Sequence, residues 1–208
     1  MKTTDRFKDA AWLNETFIPI CVGGVGGIGS NFVYFASKSI RGTFYCFDPD
    51  LVETQNIGTQ FFTKSQLDQY KVNAISQTVL NFNSIGEVIA FPRKIGENIA
   101  NIAISAFDNM DARKEMFNSW KKLRNKELFI DGRLSATIYQ IYVVTPGERE
   151  EWYEKTLFED SAVEDAPCTF KQTAHFAGLI GARMVHILTN YLGNKYTKED
   201  IFLSLIHI

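Results

Sequence analysis

Short apolar runs of strand length alternate along this chain with longer stretches in which apolar residues return every three or four positions. Residues 17–22, Phe-Ile-Pro-Ile-Cys-Val, form the first run and stop at glycines, and residues 31–36, Asn-Phe-Val-Tyr-Phe-Ala, suit a buried helix. A second run at 43–47 ends at Asp48-Pro49-Asp50, where a proline and two carboxylates punctuate a strand. Strand, glycine turn, helix and strand make a βαβ unit. Helical spacing returns with Leu67, Tyr70, Ala74, Ile75 and Val79, followed by strand-like segments at 87–91 and 102–107. A charged helix over 111–124 precedes further strand candidates at 128–130 and 137–144, the latter ending at Pro146-Gly147. The acidic stretch 148–165 reads as a mobile loop or short helix, 174–191 as an apolar helix whose Gly178 and Gly181 permit close packing, and 201–208 as a segment that pairs as a strand. Alternating elements of this kind predict an α/β fold, a Rossmann-like, mostly parallel sheet with helices on both faces, extended by antiparallel strands toward the C-terminus. At 208 residues, without internal repeats or a Gly/Pro-rich linker, residues 1–208 are expected to form a single domain.

Composition narrows the possibilities. With 45% hydrophobic and 22% charged residues the chain has the make-up of a globular protein, and 22 basic against 24 acidic side chains give no electrostatic case for nucleic acid or an anionic membrane. No apolar run approaches the ~20 residues that span a bilayer, and no signal-peptide core follows the N-terminal residues, so the expected location is cytoplasmic. Cys21, Cys46 and Cys168 are odd in number and unevenly spaced, which gives neither a disulfide framework nor a CxxC metal pair. Cys21 and Cys46 fall in predicted strands and read as core residues. His175, His186 and His207 have no cysteine or second histidine at ligand spacing and read as packing or surface residues.

The chemistry concentrates around Gly24-Val25-Gly26-Gly27-Ile28-Gly29-Ser30. Between a strand and a helix such a loop offers bare backbone amides and a helix N-terminus to phosphate. Asp48, at the end of the second strand, stands where a carboxylate accepts hydrogen bonds from ribose hydroxyls. No Gly-Lys-Ser/Thr follows, so this is not the P-loop of kinases and GTPases. A nicotinamide or flavin enzyme and an ATP-using enzyme both remain open at this point. A polar cluster downstream separates them: Asp48, Asp50, Glu53, Asn56, Gln60, Lys71 and Asp108-Asn109-Met110-Asp111-Ala112-Arg113 supply a ribose acceptor, a cation for phosphate and a carboxylate suited to magnesium. Asp108 also reads as a helix N-cap. Asp111 and Arg113 read as stabilising the helix or its surface, and Asp131-Gly132-Arg133 as a turn, facing either substrate or solvent.

From about Phe17 to Tyr191 these ordered motifs resemble the ubiquitin-activating-enzyme-like adenylyltransferases of the ThiF/MoeB family. The resemblance implies that Gly24, Gly26, Gly27, Gly29 and Ser30 accommodate ATP and Asp48 its ribose. It implies that Asn56, Gln60, Lys71 and Asn109 line the nucleotide site, as Arg113 does in the alternative reading in which it serves the family's Asp-Asn-x-x-x-Arg motif, that Asp108 holds magnesium, and that Asp108 and Lys71 are catalytic. Cys168, in Ala166-Pro167-Cys168-Thr169, matches the place where some relatives carry a cysteine that takes the activated carboxylate as a thioester. The reaction implied is attack of a C-terminal carboxylate of a ubiquitin-like or sulfur-carrier protein, or of a peptide, on the α-phosphorus of ATP, by a homodimer. One position departs: Thr59 stands where the family has a phosphate-binding arginine, which keeps a second reading, a catalytically weakened nucleotide-binding scaffold, beside the first. The CxxC pairs that bind zinc in many relatives are missing, so no zinc is expected.

Overall fold

The computed structural model describes residues 4, 6–13, 17–97, 99–135, 138–158 and 173–193. Cys168, His207 and the strand expected at 201–208 lie outside the described residues.

The elements run β1 (Ile18–Gly23), α1 (Gly27–Ser39), β2 (Gly42–Phe47), α2 (Lys71–Asn81), β3 (Glu87–Phe91), β4 (Ile102–Ser105), α3 (Met110–Lys121), β5 (Leu128–Ser135), β6 (Ile138–Val144), α4 (Glu148–Glu154) and α5 (Ala174–Leu192). The six strands lie in the order β3-β2-β1-β4-β5-β6, all parallel except β6, which pairs antiparallel with β5. The chain builds outward from β1 in one direction through β2 and β3, then returns to β1's other side with β4. That reversal between β1 and β4 opens a crevice at the strands' C-terminal ends, where open α/β sheets take ligands.

One face of the sheet buries Ile20, Val22, Phe44, Cys46, Ile104 and Ile130 beneath α1, α2 and α5. The other buries Cys21, Phe47, Ala103 and Phe129 under α3 and α4, with Met116, Phe117, Trp120 and Tyr153. The alternation along each central strand follows from the pleat, and burial on both faces explains why these strands read as continuous apolar runs. Cys21 and Cys46 are core residues as expected. Burial pushes the Cys21 thiol up to about 12 and Cys46 well above the ordinary thiol range.

One expected helix starts later than its apolar spacing suggests. The helix anticipated from Leu67 begins at Lys71, because a 3-10 turn at Lys64–Gln66 precedes it and Asp68 takes a left-handed backbone, φ 64°, that no α-helix passes through. The acidic stretch does contain a short helix. It starts after Gly147, whose φ is 114°, and the Glu150 carboxylate accepts the Gly147 N–H at 3.1 Å. Among the described residues no helix is long and apolar enough to cross a membrane.

Candidate functional site

β1 ends at Gly23, and the chain must turn sharply to start α1. Gly24 takes φ 81°, and a Cβ there would lie 2.7 Å from the Ala106 carbonyl oxygen and 3.0 Å from the Phe107 nitrogen. A Cβ on Gly29 would lie 2.0 Å from the Gly24 carbonyl oxygen. The first demand is a left-handed backbone and the second a close return of the loop on itself; only glycine meets either without strain. The contact with Ala106 and Phe107 also sets the loop after β1 directly against the loop after β4. At Gly26, by contrast, a Cβ would find its nearest neighbour at 3.9 Å, the Gln60 Nε2, so the backbone there is open to a ligand. No side chain caps the first turn of α1 and no acidic residue lies in it. Its amides are therefore available to an anion, as phosphate binding at a helix N-terminus requires.

Asp48 is 6% exposed at the C-terminal end of β2. Its Oδ2 accepts the Val25 N–H at 2.7 Å and its Oδ1 the Asp50 N–H at 2.9 Å. Burial raises its carboxyl above the ordinary range, against the two amides and the nearby Lys71 ammonium, which favour the ionised form. The glycine loop and the acid expected to read ribose are thus joined by a hydrogen bond.

Lys71 opens α2. It is largely buried, its N–H donates to the Asp50 carbonyl at 2.9 Å, and its ammonium pairs with Asp50 Oδ2 at 2.8 Å. It is not a solvated helical lysine. Between Asp48 and Lys71, Asn56 is buried and its Oδ1 accepts the Glu53 N–H at 2.8 Å. Gln60 turns its Nε2 toward the open backbone of Gly26, and its buried Oε1 finds no hydrogen-bond partner in the protein. An orphaned acceptor at that place fits a ligand that brings a donor. Ser30 is fully buried; its hydroxyl donates to the Gly27 carbonyl at 3.3 Å and accepts the Phe61 N–H at 3.0 Å, tying the 56–60 turn to α1.

Asp108 follows β4 on the other side of the crevice and is exposed. The cap of α3 is not Asp108 but Asn109, whose side chain accepts the Ala112 N–H at 2.8 Å. The Asn109 amide also donates to Asp108 Oδ1 at 3.2 Å. Asp108 is thereby spared for other work, and its hard oxygen donors suit magnesium. Among the described residues no cluster of three or more His, Cys, Asp or Glu could hold a metal ion. Magnesium fits here only in the manner usual for it, on one carboxylate with phosphate oxygens and water completing the shell.

Two expectations are corrected. Asp131-Gly132-Arg133 is not a turn: it lies inside β5, with Asp131 fully buried and Arg133 9% exposed. Arg113 is not a surface residue: it is 5% exposed and paired with Asp131 Oδ1. The same Oδ1 accepts the Ser105 hydroxyl at 2.8 Å, while Oδ2 accepts Arg133 Nε at 2.6 Å and the Tyr153 hydroxyl at 3.0 Å. Burial opposes ionisation of Asp131, but the two guanidiniums outweigh it and hold the carboxyl below its ordinary range. Asp111 stays on the helix surface, 3.8 Å from Lys114. His175 and His186 are exposed, and His186 Nε2 lies 3.0 Å from Asn190 Nδ2.

The fold and site together define a doubly wound α/β protein with a glycine loop, an uncapped helix N-terminus and flanking carboxylates at its topological switch point. The chain belongs to the ThiF family, whose model matches residues 13–207. It is 26% identical over 168 residues to ubiquitin-like modifier-activating enzyme 5 of Drosophila simulans, covering 71% of this chain and 39% of that protein. To the enzyme of the same name from Arabidopsis thaliana it is 24% identical over 152 residues, 62% of this chain and 35% of that one. The chain therefore spans well under half the length of these curated relatives. Among solved structures, E. coli MccB with ATP superposes with a TM-score of 0.65 at 19% identity, over 86% of this chain and 56% of that one. PaaA gives a TM-score of 0.66 at 17% identity, over 86% and 65%. These likenesses establish the fold.

Proposed function

We propose that this chain is an ATP-dependent adenylyltransferase that activates the C-terminal carboxylate of a ubiquitin-like or sulfur-carrier protein, or of a peptide. The observation that carries the reading is convergence at the switch point: the uncapped start of α1, the Asp48 carboxylate bonded to Val25, and the spared Asp108 beyond the β4 loop that abuts Gly24. Family membership and the names of the relatives support it.

In the reaction a carboxylate oxygen attacks the α-phosphorus, the bond from that phosphorus to the bridging oxygen breaks, and acyl adenylate and pyrophosphate result. No protein nucleophile is needed, so the barrier is lowered by positioning and by charge. The α1 amides receive phosphate, Asp48 accepts the ribose hydroxyls, Gln60 and Asn56 line the nucleotide, and Asn109 holds Asp108 beside it. Asp108 would hold magnesium, which would supply neutralisation of the phosphate charge. With Thr59 in place of a guanidinium, Lys71, released from Asp50, is the cation that meets the phosphates. A following step in which the Cys168 thiolate attacks the acyl carbon, breaking the acyl–phosphate bond and releasing AMP to leave a thioester, completes the proposal, as does action by a homodimer with residues 1–208 as one adenylation domain.

Calorimetry with ATP and magnesium, on wild type, Asp48→Ala and Asp108→Ala and with NAD as competitor, tests the reading. Magnesium-dependent ATP binding that Asp48→Ala abolishes is expected, together with ATP–pyrophosphate exchange once the carboxylate partner is added. ATP binding without exchange would favour the scaffold reading, for which Thr59 and the Lys71–Asp50 ion pair speak. Preference for NAD would overturn both.

A further inference from the structure

Arg113 is one buried cation more than Asp131 requires. Arg133 already bonds Asp131 Oδ2 at 2.6 Å, and its own guanidinium is further held by the Thr156 carbonyl at 2.9 Å, the Thr156 hydroxyl at 3.1 Å and the Tyr142 ring, whose centroid lies 4.2 Å away. A second buried guanidinium is costly unless it does something else. Arg113 does: besides Asp131 Oδ1 it donates to the Gly132 carbonyl at 3.0 Å and, through its other terminal nitrogen, to the Phe107 carbonyl. The planar fork spans acceptors on β5 and on the loop after β4, which a single ammonium cannot do. The Phe107 carbonyl belongs to the peptide that enters Asp108. On the far side of Asp108, Asn109 is pinned by its cap to Ala112. An exposed carboxylate is thus flanked by two fixed residues.

We propose that Arg113, locked in place by Asp131, is the positioning residue that fixes the Phe107–Asp108–Asn109 corner and with it the carboxylate of Asp108. The proposal rests on the reading of Asp108 as the magnesium-holding group. Ser105, whose hydroxyl shares Asp131 Oδ1, pins the end of β4 to the same anchor. The corner is therefore braced from its strand, its carbonyl and its cap, while the Asp108 carboxylate stays exposed to solvent.

Two readouts test this, one independent of any nucleotide. In the ligand-free protein, Arg113→Lys should speed hydrogen exchange about tenfold or more at the Ala112 amide, whose N–H donates to the Asn109 side chain, whereas Tyr153→Phe, which cuts a bond to the other oxygen of Asp131, should leave it unchanged. In ATP titrations, Arg113→Lys should raise the magnesium concentration for half-maximal binding about 10- to 100-fold, as loss of an outer partner of a metal ligand does, with Tyr153→Phe within about twofold of wild type. Asp131→Asn, which keeps the shape of the anchor, should behave as Arg113→Lys and serves if that variant does not fold. Unchanged exchange at the corner in either variant overturns the proposal, and so does an equal rise in magnesium requirement in Tyr153→Phe, which would mark general loosening. If wild type binds no magnesium–ATP while exchange still responds to Arg113 and not to Tyr153, the adenylation reading fails and the brace stands.

Discussion

The two faces of the sheet are closed by opposite means. On one, α1 and α5 approach through small residues: a Cβ on Gly181 would lie 2.8 Å from the Phe32 backbone nitrogen and 2.9 Å from the Asn31 Cβ. On the other, α3 and α4 fill the space with large rings. Phe117, Trp120, Phe129 and Tyr153 pack with centroids 4.5–5.8 Å apart, around a buried carboxylate with two guanidiniums. The difference teaches what each face positions. The glycine seam lets α5 lie close on α1, the helix that starts at the glycine loop. The aromatic face tolerates a polar centre because all of Asp131's partners arrive with it, and that centre braces the loop carrying Asp108.

The contrast can be broken most severely at Asp131. Asp131→Ala leaves two buried guanidiniums without their counter-charge and should cost about 3–5 kcal/mol, read as a fall in the urea midpoint. Next comes the seam. Gly181→Ala should cost about 1–3 kcal/mol through overpacking against backbone that cannot retreat. Gly178→Ala, whose Cβ would meet only Asn31 Oδ1 at 3.4 Å, should be neutral or slightly stabilising, since alanine favours a helix by about 1 kcal/mol. Equal losses at both glycines would show that the seam is not what closes that face.

pH sharpens the comparison further. Asp131 is more acidic folded than unfolded, so its contribution is fully present above the unfolded carboxyl value of about 3.9 and is lost as pH falls through the lower folded value. Asp48 has the opposite sign, its carboxyl being raised by burial, and its ionisation opposes folding as pH rises through that region. Asp131→Asn should therefore flatten the acid limb of the stability profile, and Asp48→Asn should not. The smallest expected effect is at the thiols. Cys21 and Cys46, one toward each face, should stay unmodified by iodoacetamide at pH 8 in the native protein, as residue-level mass spectrometry would read; labelling at the rate of a free thiol would mean that one face opens readily.

Much of this architecture was legible in the sequence. The β1-α1-β2 unit announces itself through an apolar run, glycines and a second run, because a buried parallel strand is apolar on both sides. Asp48 was legible because it stands immediately after the second strand. The Asp131 cluster was not: Arg113 and Asp131 lie 18 positions apart, and charged residues in a charged helix and a Gly-containing tripeptide read as surface. Only their burial reveals them, and burial is a property of the packed sheet. Asp108 and Asn109 are both good capping residues, and sequence does not say which takes the cap. Leu67 kept the helical phase of α2 by coincidence, while Asp68's left-handed backbone ended any continuity.

The strand order has a kinetic consequence. β1 pairs with β2 in the register Ile18↔Gly42, across a single helical crossover, but with β4 in the register Ile20↔Ile102, after β2, α2 and β3 have intervened. Non-local pairings carry a larger loop-closure cost and form slowly. The Val25–Asp48 half of the crevice can be assembled from local contacts, whereas its Ala106–Asp108 wall waits for β4 to insert. Loop-closure cost therefore favours assembly of the Val25–Asp48 side ahead of the Ala106–Asp108 wall, because the β1–β4 pairing spans the largest sequence separation in the sheet.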